Sequence, residues 1–399
     1  MKRTRRSRRA GFTLVELMVA LTTGLVAIAT IYTFSTGATR FFQQQGAVSQ
    51  TQQAVRVAFE RIRRDIARAG FGGVPYGNLV PGPVPTLRVQ AVEICDGNGR
   101  GTIPNEAANL THADRLILTG NFETGDTYLA AAILSGGTSI TFQQTWPAFQ
   151  RSFGDRVTNL CDQTRFDQVF QAGRVVHVKS REGAHFFAPI AGTAANCTVE
   201  LGAGLPVGTA QLAGVGEGAM VAPLSRIEYT VLDQAGLVAA GLSNLVSANP
   251  AAAQLGEVPA VLVRREVTFT NDAACGATNP RPNTTEVVLE YVAHFDVDAI
   301  VDTAIPPNLP TLVFQDDAQV QATSVGVTQV TGPQQFRSLI VSLAGRTPTI
   351  DKNVPWVPRA AVTEPLARFQ VNAGDLYAAR VRGIRSEITL PNLFPLTQQ

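Results

Sequence analysis

The sequence is poor in the residues from which catalytic and metal centres are built. Its 399 residues hold four histidines, His112, His177, His185 and His294, and four cysteines, Cys95, Cys161, Cys197 and Cys275. No histidine stands in an H-E-x-x-H, H-x-E or Cys/His ligand spacing, no G-x-S-x-G is present, and no two cysteines form C-x-x-C. Zinc hydrolases, nucleophile-elbow hydrolases, zinc ribbons and thioredoxin-like redox sites each need one of those spacings. An enzyme is therefore not expected, nor a metal or other cofactor. No proline precedes Pro75, no repeat period emerges, and no second long apolar run follows the first.

Charge of one sign is lacking as well. The formal net charge is +2, but Lys2, Arg3, Arg5, Arg6, Arg8 and Arg9 all precede Gly11; without those six, 27 of the 33 basic residues face 31 acidic ones. The remainder has no global pull toward nucleic acid or anionic lipid. With 45% apolar residues the chain has ample material for a packed core.

What is there begins at once. Between Phe12 and Phe34 the only charged residue is Glu16, and about 23 residues at 1.5 Å rise make roughly 34 Å, enough to span a bilayer with some tilt. The basic cluster ahead of the run holds that end in the cytoplasm and sends the C-terminal bulk across the inner membrane. A Sec signal peptide has a shorter apolar stretch, and a twin-arginine signal, for which Ser7-Arg8-Arg9 could stand, leaves Glu16 unexplained. A carboxylate in hydrocarbon costs about 2.5–3.5 kcal/mol on insertion scales and so calls for a partner.

Residues 10–21, AGFTLVELMVAL, resemble the processing site of type IV pilins and type II secretion pseudopilins: a basic leader, Gly11 before the cut, the aromatic Phe12 after it, and Glu16 as the fifth residue of the mature chain. The resemblance implies cleavage between Gly11 and Phe12 by a prepilin peptidase on the cytoplasmic side, and N-methylation of the new Phe12 amine. Gly11 lets the backbone enter a narrow cleft, and cleavage removes the leader charges that would prevent burial of the helix among its neighbours. The α-amino group of Phe12, with an ordinary pKa near ~8, is then cationic and available to neutralise Glu16 of another subunit. Glu16 would set axial register. Unlike many major pilins, this helix has no internal proline; Gly24 and Gly37 are its weak points.

The helical pattern continues past Phe34. Val48, Val55, Phe59, Ile62 and Ile66 recur on one face, while Arg56, Glu60, Arg61, Arg63, Arg64, Asp65 and Arg68 read as a solvated face with Arg56/Glu60, Glu60/Arg64 and Arg61/Asp65 as i,i+4 pairs. Gly70 ends it, and Phe12 to Ala69 as one helix would measure about 87 Å. After Pro75 the period becomes two. Strands are predicted over Leu87–Ile94, Arg115–Leu118, Ser139–Phe142, Val175–Val178, Ile227–Leu232, Val261–Phe269, Val287–Val297, Arg337–Leu343 and near Tyr377–Ile388. The expected fold is α+β and pilin-like: a long N-terminal helix, transmembrane in its first half, packed on a large, mostly antiparallel β-sheet domain. Residues 1–11 form the cleaved leader, 12–34 the transmembrane half, 35–70 the amphipathic half and 71–399 a β-rich periplasmic or extracellular domain. In an exported domain the four cysteines allow two disulfides in any of three pairings.

Strings in the β region, including MVAP, RIEYTVLD, VLVRREV, VVLEYVAHFDVD and RSLIVSLAGRT, are similar to the PilW group of minor pilins, with residues 145–170 and 300–330 as insertions. That resemblance implies a minor pilin that helps to prime a type IV pilus and sits at its tip. Its implied partners are the membrane, other minor pilins, the major pilin, the prepilin peptidase, the inner-membrane assembly platform and a PilY-type tip adhesin. A J-type minor pseudopilin of type II secretion is the alternative in the same fold. An adhesin-holding or DNA-binding head is the other, with Trp146, Trp356 and the Pro-rich 345–375 connection as contacts if they do not fill the core. Arg368, Arg380, Arg382 and Arg385, with Phe369 and Tyr377 interleaved, are the best candidates for single-stranded nucleic acid, although ordinary solvent exposure is the expectation. Asp96–Gly101 opens like a calcium loop but lacks the later carboxylates. Gly202-x-Gly204 and Gly214-x-Gly216-x-Gly218 lack the strand-to-helix context of a phosphate loop.

Overall fold

The computed structural model describes residues 12–72, 89–97, 101–155, 161–205, 215–242, 259–269, 275–304, 309–324, 332–361 and 364–393. The leader with Gly11, residues 87–88 of the first predicted strand, Gly214, and residues 98–100 of the calcium-like turn lie outside them. Leu14–Arg68 is a single α-helix (α1), and the chain divides within it into two compact units, residues 1–50 and 51–399.

In the first unit the helix is long and apolar enough to cross a membrane, and the large apolar side chains between Phe12 and Phe34 are exposed. The threonines that would otherwise burden such a segment bond back to the helix. Thr23 Oγ1 donates to the Val19 carbonyl at 2.8 Å and Thr30 Oγ1 to that of Val26 at 2.8 Å, while Thr22 and Thr33 reach carbonyls three residues back.

The second unit begins with the rest of α1, whose Val55, Phe59, Ile62 and Ile66 are buried. Sixteen strands follow among the described residues. β1 (Val92–Cys95), β2 (Arg115–Gly120), β8 (Met220–Leu232), β9 (Val261–Val267) and β10 (Glu286–Leu289) pair antiparallel in that order. β11 (Val292–Asp302), β12 (Leu312–Gln315), β13 (Phe336–Arg346), β14 (Asp351–Pro355), β15 (Arg368–Phe369) and β16 (Tyr377–Thr389) make a second sheet in the order β12-β11-β13-β16-β14, with β15 also on β16. Both sheets contribute to one core with α1. Gly345 on β13 allows the close approach, because a Cβ there would lie 2.9 Å from Val55 Cγ2. The helix ends at Gly70, in left-handed conformation with φ 73°. Asn392 Nδ2 caps its last carbonyls, donating to Ala67 at 3.0 Å and Ala69 at 3.2 Å.

β3 (Tyr128–Leu134), β4 (Ser139–Phe142), β5 (Val175–Lys179), β6 (His185–Ala194) and β7 (Thr198–Leu201) do something the periodicity does not announce. With the first half of β8 they close a ring in the order β8-β3-β4-β7-β6-β5-β8, every pair antiparallel. Closure removes free edges. The interior is filled by Tyr128 and Phe142 together with Phe149 and Phe153 from the helix Pro147–Phe153, Phe166 from the helix Gln163–Val169, and Phe170 just past its end. The described part of residues 145–170, which read as an insertion, thus supplies most of the plug of a second core.

Several expectations change. The single strand predicted over Val287–Val297 breaks at Tyr291, whose φ is 55°, and its halves join different sheets as β10 and β11. Leu289, Tyr291, Ala293, Phe295 and Val297 are all buried as the period predicts, with Val292 at the break buried beside them, so period alone could not reveal it. Neither tryptophan fills the core: Trp146 is 41% exposed and Trp356 is half-buried. The cysteines pair as Cys95–Cys275 and Cys161–Cys197, with Cα separations of 5.5 and 6.3 Å.

Candidate assembly site

At the tip of α1 the sequence Thr13-Leu14-Val15-Glu16 forms a capping box. Thr13 Oγ1 accepts from the Glu16 amide at 3.3 Å, and Glu16 Oε2 accepts from the Thr13 amide and hydroxyl, both at 3.2 Å. The T-x-x-E spacing was legible as a cap, and reading Glu16 only as a register charge missed it. The cap places a carboxylate against the positive end of the helix. Both bonds fall on Oε2, so among the described residues Oε1 has no partner. An ammonium brought to Oε1 would find an acceptor already held in position. Phe12, beside it, is 87% exposed.

At the other end of α1, in the second unit, Asp65 departs from expectation. It does not share a solvated face with Arg61; it is 4% exposed. Its Oδ2 accepts from Tyr229 Oη and from Arg264 Nε, each at 2.7 Å, while Arg61 turns to Glu286 at 2.9 Å and Arg63 to Glu60 at 2.7 Å. Burial first, then the carboxylate, pushes the Tyr229 hydroxyl pKa well up, so Tyr229 is a committed donor. Asp65 anchors the amphipathic half of the helix to β8 and β9. Replacing Asp65 by alanine leaves the half-buried Arg264 guanidinium with the exposed Glu286, 3.9 Å away, and takes the acceptor from the buried Tyr229 hydroxyl; a loss of about 3 kcal/mol, the low end for a broken buried pair, is expected. Thermal unfolding of the detergent-solubilised chain measures it; a change below 1 kcal/mol, ~0.7 of a decade in the unfolding constant, would remove Asp65 from this role.

The four histidines, scattered in sequence, meet as two pairs. His177 Nδ1 donates to the Gly72 carbonyl at the exit from α1, and His185 Nδ1 donates to His177 Nε2 at 2.8 Å; the two rings stack at 5.0 Å. The His112 amide donates to His294 Nδ1 at 3.2 Å. Burial and the His185 neighbour lower His177 to about 3, and burial and His112 lower His294 to about 4. Both are neutral when folded, so the unfolded chain binds the extra protons below the ordinary value near 6.5. Their contribution is complete above that pH and lost as pH falls toward 4 and 3. Between pH 7.5 and 5 the loss should be about 2 kcal/mol for each of these two histidines. Urea midpoints across that range check it, and His177→Gln should flatten the dependence.

Glu93, Cys95 and Cys275 form the one group of candidate ligands among the described residues, within 4.8 Å of one another. It is not a cation's donor set: both sulfurs are joined in the disulfide, and Glu93 already accepts from the Cys275 amide at 2.7 Å and from Arg226 at 2.7 Å. Of the residues named for nucleic acid, Arg368, Tyr377 and Arg382 are exposed, and the others are buried or paired. Phe369 is fully buried, Arg380 pairs with Asp351 at 2.7 Å, and Arg385 pairs with Asp298 at 2.8 Å.

Residues 6–32 match the family model described as the prokaryotic N-terminal methylation motif. No curated protein and no solved structure matches the chain. The matched segment contains Gly11, Phe12 and Glu16, and with the apolar helix it supports a membrane-anchored, type IV pilin-like or pseudopilin protein.

Proposed function

We propose that this chain is a minor pilin of the PilW kind. It is inserted in the inner membrane with its N-terminus in the cytoplasm, cut between Gly11 and Phe12, methylated at Phe12, and joined with other minor pilins to prime a type IV pilus and occupy its tip. The observation that carries the reading is the methylation motif on an uncovered apolar helix whose capping carboxylate keeps one oxygen open. A cationic Phe12 amine of the next subunit is the chemistry that oxygen fits, and the pairing would offset the cost of burying both charges. The assembly platform and its ATPase supply the work; this subunit supplies shape, register and a head.

The test is pilus number in a deletion strain and in Glu16→Ala, with Glu16→Gln to keep the cap while removing the charge. Both substitutions should reduce piliation about tenfold or more, a loss equivalent to ~1.4 kcal/mol or greater. Normal piliation in all three strains would sink the priming role. Normal pili with lost protein secretion would move the subunit to a type II secretion pseudopilus.

A further inference from the structure

We infer that β12 is a contact between two copies of this chain, its open edge pairing antiparallel with the same edge of a second copy about a two-fold axis at Val313. The contact concerns the head alone and rests on no part of the filament reading.

The other sheet ends are closed or blunted. On β1 the Ser324 hydroxyl meets both outward groups of Ile94, amide and carbonyl, each at 3.1 Å. β10 begins with the exposed Glu286, β14 carries Lys352 and Pro355, and β15 carries Arg368. Charge and proline are the usual means of keeping an edge from pairing. β12 itself has neither, and no residue from Thr303 to Gln315 is charged. Among the described residues it pairs with β11 alone, and Leu312, Val313 and Phe314 are 60%, 40% and 49% exposed.

The register fixes which backbone groups are open. The Thr303 amide donates to the Thr311 carbonyl at 2.9 Å, and Val301 and Ala299 lie opposite Val313 and Gln315. In an antiparallel pair, bonded and unbonded positions alternate. Val313 and Gln315 therefore bond to β11, while the amides and carbonyls of Leu312 and Phe314 point away from it and have no partner among the described residues.

Those groups define the occupant. An edge of backbone donors and acceptors takes a strand, and an uncharged apolar edge is complemented by its like. With Val313 opposite its own copy, Leu312 of each chain lies opposite Phe314 of the other, and four hydrogen bonds across the axis use every open group. The flanks agree with this register. It sets Pro310, which has no N–H to give, opposite Asp316, whose carbonyl is already taken by the Gln319 and Val320 amides at 2.9 and 3.3 Å. Asp316 and Asp317 fall opposite Pro310 and Leu309, so no like charges meet. A two-fold contact closes on itself, and the product is a pair.

Single thiols test the register, because all four native cysteines are paired. Val313→Cys sets two thiols on Cα atoms about 4.5 Å apart, the spacing of an unbonded antiparallel pair and within disulfide reach. Mild oxidation of the full chain in detergent should then give a covalent dimer on a denaturing gel without reductant. Leu309→Cys is more exposed, at 87% for the native leucine, yet its two copies stand eight residues out of register, about 26 Å apart, and should stay monomeric. Without oxidant, Phe314→Lys should weaken self-association at least tenfold by sedimentation, with thermal unfolding unchanged. The inference is overturned if Val313→Cys stays monomeric, if Leu309→Cys cross-links as readily, or if Phe314→Lys associates as the parent does, which would place association in the apolar helix. It is also overturned if the parent is monomeric and its Leu312 and Phe314 amides gain protection from hydrogen exchange only when a different protein is added. Pilus number is not the readout, so failure here leaves the assembly reading standing and failure there leaves this one.

Discussion

Glu228→Ala should leave the head unable to hold its fold. Glu228, on β8, has no exposed surface; it accepts from Arg265 Nε at 2.5 Å and from Thr278 Oγ1 at 2.9 Å, with the Arg115 guanidinium 3.6 Å away. Arg115 and Arg265 are themselves 2% and 5% exposed. Removing the carboxylate therefore breaks the buried pair with Arg265 and takes a negative charge from beside buried Arg115, which still donates to the Gly276 carbonyl. A single broken buried pair costs about 3–5 kcal/mol, and total stabilities run to only about 5–15 kcal/mol. The expected result is failure of the full chain to accumulate, or a urea midpoint collapsed toward zero. Glu228→Gln keeps the shape and one acceptor, so it separates charge from packing; if it matches the parent, the ion pairs are not what holds this face.

The second large effect is expected at Cys95–Cys275. This bond closes a sequence separation of 180 residues, for which the chain-entropy model gives about 5 kcal/mol, against roughly 4 kcal/mol for the separation of 36 from Cys161 to Cys197. Position adds to length. Cys275 begins a segment laid over the charged face of the first sheet, where its amide meets Glu93 at 2.7 Å, the Gly276 carbonyl accepts from Arg115 at 2.9 Å and Thr278 meets Glu228. Without the bond, that cover must hold against the pull of water on the buried charges beneath it. Replacing both Cys95 and Cys275 by serine should lower the urea midpoint more than the Cys161/Cys197 pair does. Equal or negligible shifts would show that the cover holds without its staple.

How much of this was legible depends on the range of each interaction. The β4 strand lies where the alternation puts it, and Val55, Phe59, Ile62 and Ile66 are buried as their spacing predicts, because local period reports which side of an element is apolar. The break at Tyr291 was not legible, since a residue in left-handed conformation can preserve alternation while redirecting the chain. Asp65 was misread for a related reason. An acidic residue flanked by arginines looks solvated until Tyr229 and Arg264, more than 160 residues away, are known to close on it.

By itself, the sequence determined the parts whose physics is carried by neighbours in the chain: the methylation motif, the apolar helix with its threonines bonded back, and the T-x-x-E cap. Tertiary structure alone decided the rest. It closed a ring from strands β3 to β8 around a phenylalanine plug, chose one of three disulfide pairings, gathered the histidines in pairs, and stacked Glu93, Arg115, Arg226, Glu228 and Arg265 into a buried charged face. Each of those depends on which groups meet across long loops, and a buried charge becomes stable only when its partner arrives.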